Sequence, residues 1–160
     1  MQTPVPIIAF SGMRWDSLPA PSKRVLSQLA KTRSVFFLER PESVEVGDPE
    51  FWELICGAPD LLVCRPRIAN LRSVQPATST RMARALLGWL DIDEFVAWIY
   101  SRSEFAWAGS LSPSLVIHDR SLEADASARD GLPDVYAPGS RRGRMSMAPF
   151  EASAMGLRPS

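Results

Sequence analysis

A mostly parallel α/β sheet with helices on both faces is the fold class that three observations in this sequence predict. Short runs rich in β-branched and aromatic residues recur along the chain: Ile7–Phe10, Ser34–Arg40, Phe95–Tyr100 and Leu115–Ile117. Each is almost continuously apolar, as suits a parallel strand covered on both sides. Between them lie segments whose apolar residues recur at helical spacing, Val25, Leu26, Leu29 and Ala30 in one and Met82, Leu86, Trp89 and Leu90 in another. The resulting order is strand, helix, strand, hairpin, helix, strand, short helix, strand, and such alternation builds parallel sheets.

The first strand ends at Ser11-Gly12, because Gly tolerates angles through which a strand cannot continue. A polar loop with Arg14, Trp15 and Asp16 follows, then Pro19 and Pro21, with Ser22 as candidate N-cap of the first helix. Lys23, Arg24 and Lys31 lie off its apolar stripe. Pro41–Pro49 reads as an acidic connection. Phe51–Cys56 and Leu61–Cys64 flank the turn signal Gly57-Ala58-Pro59-Asp60 and are expected to pair as an antiparallel hairpin ended by Arg65-Pro66. A helical turn over Phe51–Ile55 is the alternative. Asn70–Thr80 reads as a loop, with Ser79 or Thr80 capping the next helix, whose wet face carries Arg81 and Arg84. Ser103–Leu111 is expected to form one or two helical turns with Phe105, Ala106 and Trp107 inward. The pattern then stops. Arg129–Ser160 holds four glycines, four prolines and five arginines against four residues among Val, Ile, Leu and Phe. Too little apolar surface remains there to offset the entropy of ordering it. The expected organisation is a domain over residues 1–126 and a disordered or aberrant tail over 127–160, either natural or the product of a shifted reading frame.

With 160 residues, 46% of them hydrophobic, the chain can bury the core of one domain. Eighteen basic and eighteen acidic side chains give zero formal charge, which removes any electrostatic case for nucleic acid. The Arg141-Arg142-Gly143-Arg144 run is a weak basic patch in that tail. Cys56, Cys64 and the lone His118 cannot make a structural zinc site unaided, so two reduced, buried thiols and no metal are expected. There is no basic region followed by a long apolar stretch, and no window approaches the ~20 apolar residues that span a bilayer. A cytoplasmic chain is the expectation.

Three polar clusters fall at strand ends: Ser11-Gly12-Met13-Arg14-Trp15-Asp16, Tyr100-Ser101-Arg102 and His118-Asp119-Arg120. In a parallel sheet these ends share one edge, where ligands bind. His118 with Asp119 offers a general base, Arg14 and Arg120 offer pairs to phosphate or carboxylate oxygens, and Trp15 a face for stacking a sugar or base. Against a dyad, adjacent residues on an extended segment point to opposite faces. The chain has no G-x-G-x-x-G turn, no G-x-x-x-x-G-K-[ST] loop and no G-x-S-x-G elbow, which leaves dinucleotide, P-loop and serine-hydrolase roles without a signature.

The run Ile7–Asp16, with the following helix and Val35-Phe36-Phe37-Leu38-Glu39-Arg40-Pro41, resembles the start of bacterial glycosyltransferases of the GT-B type. It is most similar to those of cell-surface polysaccharide synthesis such as teichuronic acid biosynthesis. Val63-Cys64-Arg65-Pro66-Arg67, Ala97-Trp98-Ile99-Tyr100-Ser101 and Leu115-Val116-Ile117-His118-Asp119 resemble later landmarks, in order, over residues 5 to 125. Gly12 stands where the family has His, and His118-Asp119-Arg120-Ser121-Leu122-Glu123 lacks one of its acids. The resemblance implies a Rossmann-like acceptor-side half whose nucleotide-sugar donor is held only with a second domain, lying beyond where this chain stops. It implies a glycan or lipid-linked acceptor and no cofactor. It places the chain in the cytoplasm or at the inner membrane face, inactive alone, with self-association through the face that would meet the second domain. His118 and Asp119 are its candidate catalytic residues; Ser11, Gly12, Arg14, Trp15, Tyr100 and Arg120 its candidate substrate-binding ones. The rivals are a non-catalytic α/β module that binds a sugar, a nucleotide or a partner subunit, and a small hydrolase using His118 and Asp119.

Overall fold

The structure is a computed structural model that describes residues 3–69 and 76–122, together with the backbone of two short strands at 134–136 and 145–146. Continuous apolarity does produce strands buried on both faces: β1 (Ile7–Phe10) and β6 (Val96–Ile99) are buried at every position. With β2 (Val35–Leu38), β5 (Leu61–Ile68) and β7 (Leu115–His118) they form the parallel centre of one mostly parallel, Rossmann-like sheet. The parallel order β5-β2-β1-β6-β7 reverses direction between β1 and β6. Chain growth thus moves outward from β1 first on one side and then on the other. The gap between the two directions is the switch point at which open α/β sheets bind ligands.

α1 (Ala20–Leu29) covers one face, burying Leu26 and, just beyond its end, Ala30 against Ile7, Ala9, Phe37, Val63 and Trp98. α2 (Pro76–Trp89) and α3 (Arg102–Gly109) cover the other, where Ala83, Leu86, Leu87 and Ala108 meet Ile8, Phe10, Leu38, Cys64 and Ile99. The Trp107 ring meets Phe10 edge-on at 4.9 Å. A two-residue β3 (Glu42–Ser43) pairs with the far end of β5. β4 (Phe51–Ala58) pairs antiparallel with β5 through the tight Pro59-Asp60 turn, in which Asp60 takes a left-handed φ of 60° that Asp tolerates. The hairpin expectation thus holds, and the helical alternative for Phe51–Ile55 falls. Two further strands, β8 (Asp134–Tyr136) and β9 (Met145–Ser146), continue the sheet antiparallel beyond β7. The rest of the expected tail from Ser127, and residues 70–75 of the expected loop, lie outside the described residues.

Several local expectations are corrected. α1 starts at Ala20 behind Pro19, so Ser22 is not its cap but a buried residue in the first turn. Pro21 fits that turn as well, because the N–H it lacks would have no intrahelical partner there. Val25 points to solvent and Leu26 carries the contact. Ser79 and Thr80 lie inside α2 and do not cap it, and its inward stripe runs through Ala83, Leu86 and Leu87 while Trp89 is exposed. β5 continues through Pro66 to Ile68: Arg67 and Ile68 still pair with β3, so the proline interrupts only its own ladder bond. In α3, Phe105 and Ala106 face water, and Glu104 and Ala108 face in. Both cysteines are free thiols, but Cys56 is exposed.

Candidate functional site

Register fixes what stands at the carboxyl edge. Phe10 is level with Leu38 and Ile99, Leu38 with Cys64, and Ile99 with His118. The next residue of each strand is therefore Ser11, Glu39, Arg65, Tyr100 or Asp119, a polar row across the sheet. Because side chains alternate, this row shares the α1 layer with Ala9 and Trp98, whereas His118 shares the α2–α3 layer with Phe10 and Ile99. His118 and Asp119 are thus both buried but on opposite faces. Asp119 Oδ1 accepts the Ser121 N–H at 2.9 Å and caps the short turn Arg120–Leu122, in which Arg120 is half-buried.

The loop after β1 is pinned from both sides by buried carboxylates. Glu104 Oε1 accepts the Gly12 N–H at 2.9 Å, while its Oε2 accepts the N–H groups of Tyr100 at 2.9 Å and Ser101 at 3.0 Å. Glu39, wholly buried, accepts the Trp15 N–H at 2.7 Å through Oε1 and Arg65 Nε at 2.5 Å through Oε2. Hydrogen bonding to Glu39 holds the Arg65 guanidinium charged even more firmly than usual. Ser11, buried, accepts the Met13 N–H on its own hydroxyl at 3.0 Å and tightens the turn. The loop therefore leaves the switch point with its backbone fixed at Gly12 and Trp15.

Sequence reasoning missed Glu104. Its signal was present: Ser101-Arg102-Ser103-Glu104 is a capping box, and a Glu three residues after the N-cap turns back toward the strand end. The consequence is chemical. The switch point's helix N-terminus, an anion site in many α/β proteins, already holds the chain's own carboxylate.

The other candidates are distributed unevenly. Gly12 and Tyr100 meet at Glu104. Arg14 reaches the opposite way and pairs with Glu42 of β3, which also binds Arg67. Trp15 packs edge-on against Phe37 at 5.2 Å and lies close over Gly57, with Lys23 Nζ 5.8 Å from its ring. Part of the ring's surface is thus committed to the α1 layer. The buried Tyr100 phenol is pushed up by burial and then by the Asp119 and Glu104 carboxylates, against a weaker downward pull from the Trp98 indole, so it stays protonated. Burial, with Glu39 nearby, pushes the Cys64 thiol up to about 12. Among the described residues no three His, Cys, Asp or Glu side chains gather as metal donors, and no helix is long and apolar enough to cross a membrane.

No family model and no curated protein matches the chain. A solved structure described as trehalose-6-phosphate from E. coli bound with UDP-2-fluoro glucose is similar to it in part, at 13% identity and a TM-score of 0.41, over 66% of this chain and 30% of that one.

Proposed function

We propose that residues 1–126 form the acceptor-side half of a GT-B-type glycosyltransferase, with the carboxyl edge between β1 and β6 as one wall of its cleft. The observation that carries this reading is the Glu104 carboxylate at the start of α3, which takes the N–H groups of Gly12, Tyr100 and Ser101 where the loops after β1 and β6 meet. A nucleotide diphosphate would meet a carboxylate there instead of free N–H groups. Hydroxyl donors of a sugar suit such an edge, where the Asp119 carboxylate stands as an acceptor. Donor phosphates then fall to a second domain, as the sequence resemblance to GT-B enzymes implies. In this reading Ser11, Gly12 and Tyr100 line the acceptor wall, Arg120 flanks it with positive charge while Arg14 is spent on Glu42, Trp15 stacks with its open face, and Asp119 accepts the acceptor's proton.

A binding-only role is favoured by one feature: Asp119 is engaged as a turn cap and His118 faces the other layer, so the chain assembles no His–Asp base by itself. Both readings expect no turnover from the isolated chain. The experiment is an amide-shift titration with neutral oligosaccharides and, separately, with uridine nucleotides, paired with a transfer assay over nucleotide sugars. Shifts at Gly12, Tyr100 and Ser101 with oligosaccharides alone support the acceptor-wall reading. Tight nucleotide binding or robust transfer overturns it.

A further inference from the structure

A second face of the domain stands apart from the carboxyl edge. Leu61–Cys64 of β5 pair with β2 on one side and with β4 on the other, which makes β4 an edge strand with no further partner among the described residues. Its sequence Phe-Trp-Glu-Leu-Ile-Cys-Gly-Ala carries one charge, Glu53, already paired with Arg67 at 2.6 Å in the same sheet. The usual guards of an edge, Lys and Pro, are missing from it. Beside it α2 turns Arg81, Arg84, Ala85, Gly88 and Trp89 to solvent, and Trp89 is 71% exposed. Strand and helix enclose an apolar groove of about 190 Å³ lined by Trp52, Leu54, Ala85, Leu86 and Trp89. A protruding indole and an apolar groove thus lie side by side on one surface, the arrangement that a two-fold axis makes self-complementary.

We infer that this face docks a second copy of the chain, with the two β4 strands paired antiparallel into one continuous sheet and the two α2 helices antiparallel above the seam. Charge decides the orientation. Arg81 lies in the N-terminal half of α2, and the exposed Asp91, Asp93 and Glu94 follow its C-terminus. An antiparallel pair brings basic against acidic at both ends; a parallel pair stacks like on like. With the axis level with Leu87, Ala85 faces the other copy's Trp89, which enters the groove, and Arg81 lies toward the acidic turn Asp91–Glu94 that follows the other copy's α2. Arg81 is held only loosely at home, 3.9 Å from Glu50. Ala85 is small and a Cβ on Gly88 would touch nothing within 4 Å, so the helices can approach closely.

Sedimentation equilibrium on the full chain, at concentrations up to about 100 μM where a standard-size interface is well populated, tests this. The wild type should reach twice the chain mass. Trp89→Ser and Cys56→Lys, both at exposed positions and checked for unchanged circular dichroism, should each weaken association at least about ten-fold. Arg81→Asp should weaken it too, and adding Asp93→Arg should restore it. A wild type that stays monomeric overturns the inference, because then the edge is covered by another segment of the chain or kept for a different protein. A dimer indifferent to all three single variants overturns it as well, since its interface lies elsewhere.

Discussion

Replacing Glu104 by alanine strips three N–H groups of their acceptor at once, and the structure lets the cost be apportioned. The Tyr100 N–H is buried and has no water to turn to, so its loss carries the full penalty of an unsatisfied donor, about 1–3 kcal/mol. Gly12 and Ser101 are nearer solvent and can rehydrate, so each loses only the surplus of a charge-assisted bond over one to water, about 0.5–1 kcal/mol. The expected total is about 3 kcal/mol, a large share of the stability of a domain this size. At about 2–4 °C per kcal/mol, Tm should fall by about 6–12 °C. Glu104→Gln keeps one acceptor oxygen and should lose about half as much. Thermal unfolding measures the total, and hydrogen exchange locates it: the Gly12, Tyr100 and Ser101 amides should lose protection together, while Ile8 in the strand interior falls only with global stability. A Glu104→Ala protein within about 0.5 kcal/mol of wild type, or one whose Gly12 amide exchanges as before, would refute the pinning of the loop.

Two glycine substitutions should move stability in opposite directions. At Gly57 an added Cβ would sit 2.8 Å from Leu61 Cδ2 and Val63 Cγ2 and 3.3 Å from Trp15, so Gly57→Ala should cost about 1–3 kcal/mol in urea unfolding. At Gly88, inside α2 with open space around it, alanine should add about 0.5–1 kcal/mol. Glu39→Gln leaves Arg65 short of its counter-charge in a buried pair and should cost about 3 kcal/mol, with Trp15 fluorescence shifting as its backbone anchor weakens. Stability should also fall on the alkaline side. Cys64 is a thiol in the fold up to about 12 but ionises from 9.0 once unfolded, so its contribution is complete below 9.0 and is lost as pH climbs toward 12, by about 1.4 kcal/mol per unit. Tyr100, raised from 10.0, acts in the same sense above that value. Unfolding free energies from about pH 8 to about pH 11 should show a shallower alkaline slope for Cys64→Ala, whatever its stability near neutrality.

The sheet was legible because its strands are buried on both faces, and burial on both faces writes itself into the sequence as unbroken apolar runs such as Ile7–Phe10 and Val96–Ile99. Helix faces were less so. Val25 and Leu26 are adjacent and equally apolar, and only docking against Ile7 and Phe37 decides that Leu26 turns in. Trp89 completes an apolar stripe by spacing yet is mostly exposed, at the rim of the groove between α2 and β4, while Ala83, Leu86 and Leu87 carry the contact with the sheet. The site was half legible. Register could be read once the strands were known, which is why Ser11, Tyr100 and Asp119 fall in one row. Glu104 escaped because a carboxylate in an amphipathic segment is ordinarily assigned to water, and its inward turn depends on three amides delivered by two other segments.

Glu39 and Glu104 together explain why a loop of small and polar residues is held rigid. Left to itself, Ser11–Asp16 would sample many conformations, at about 1–2 kcal/mol of entropy per residue when a ligand orders it. Here the order is set in advance: Ser11 closes its own turn, Glu104 fixes Gly12, and Glu39 fixes Trp15 while Arg65 neutralises it. Burying two carboxylates is costly, and the cost is offset at Glu39 by one backbone N–H and the Arg65 guanidinium and at Glu104 by three backbone N–H groups. A fold that needed only stability would gain as much from apolar residues at 39 and 104. That the chain commits two buried charges to one six-residue loop, at the point where the strand order reverses, is the physical argument behind the site proposed there.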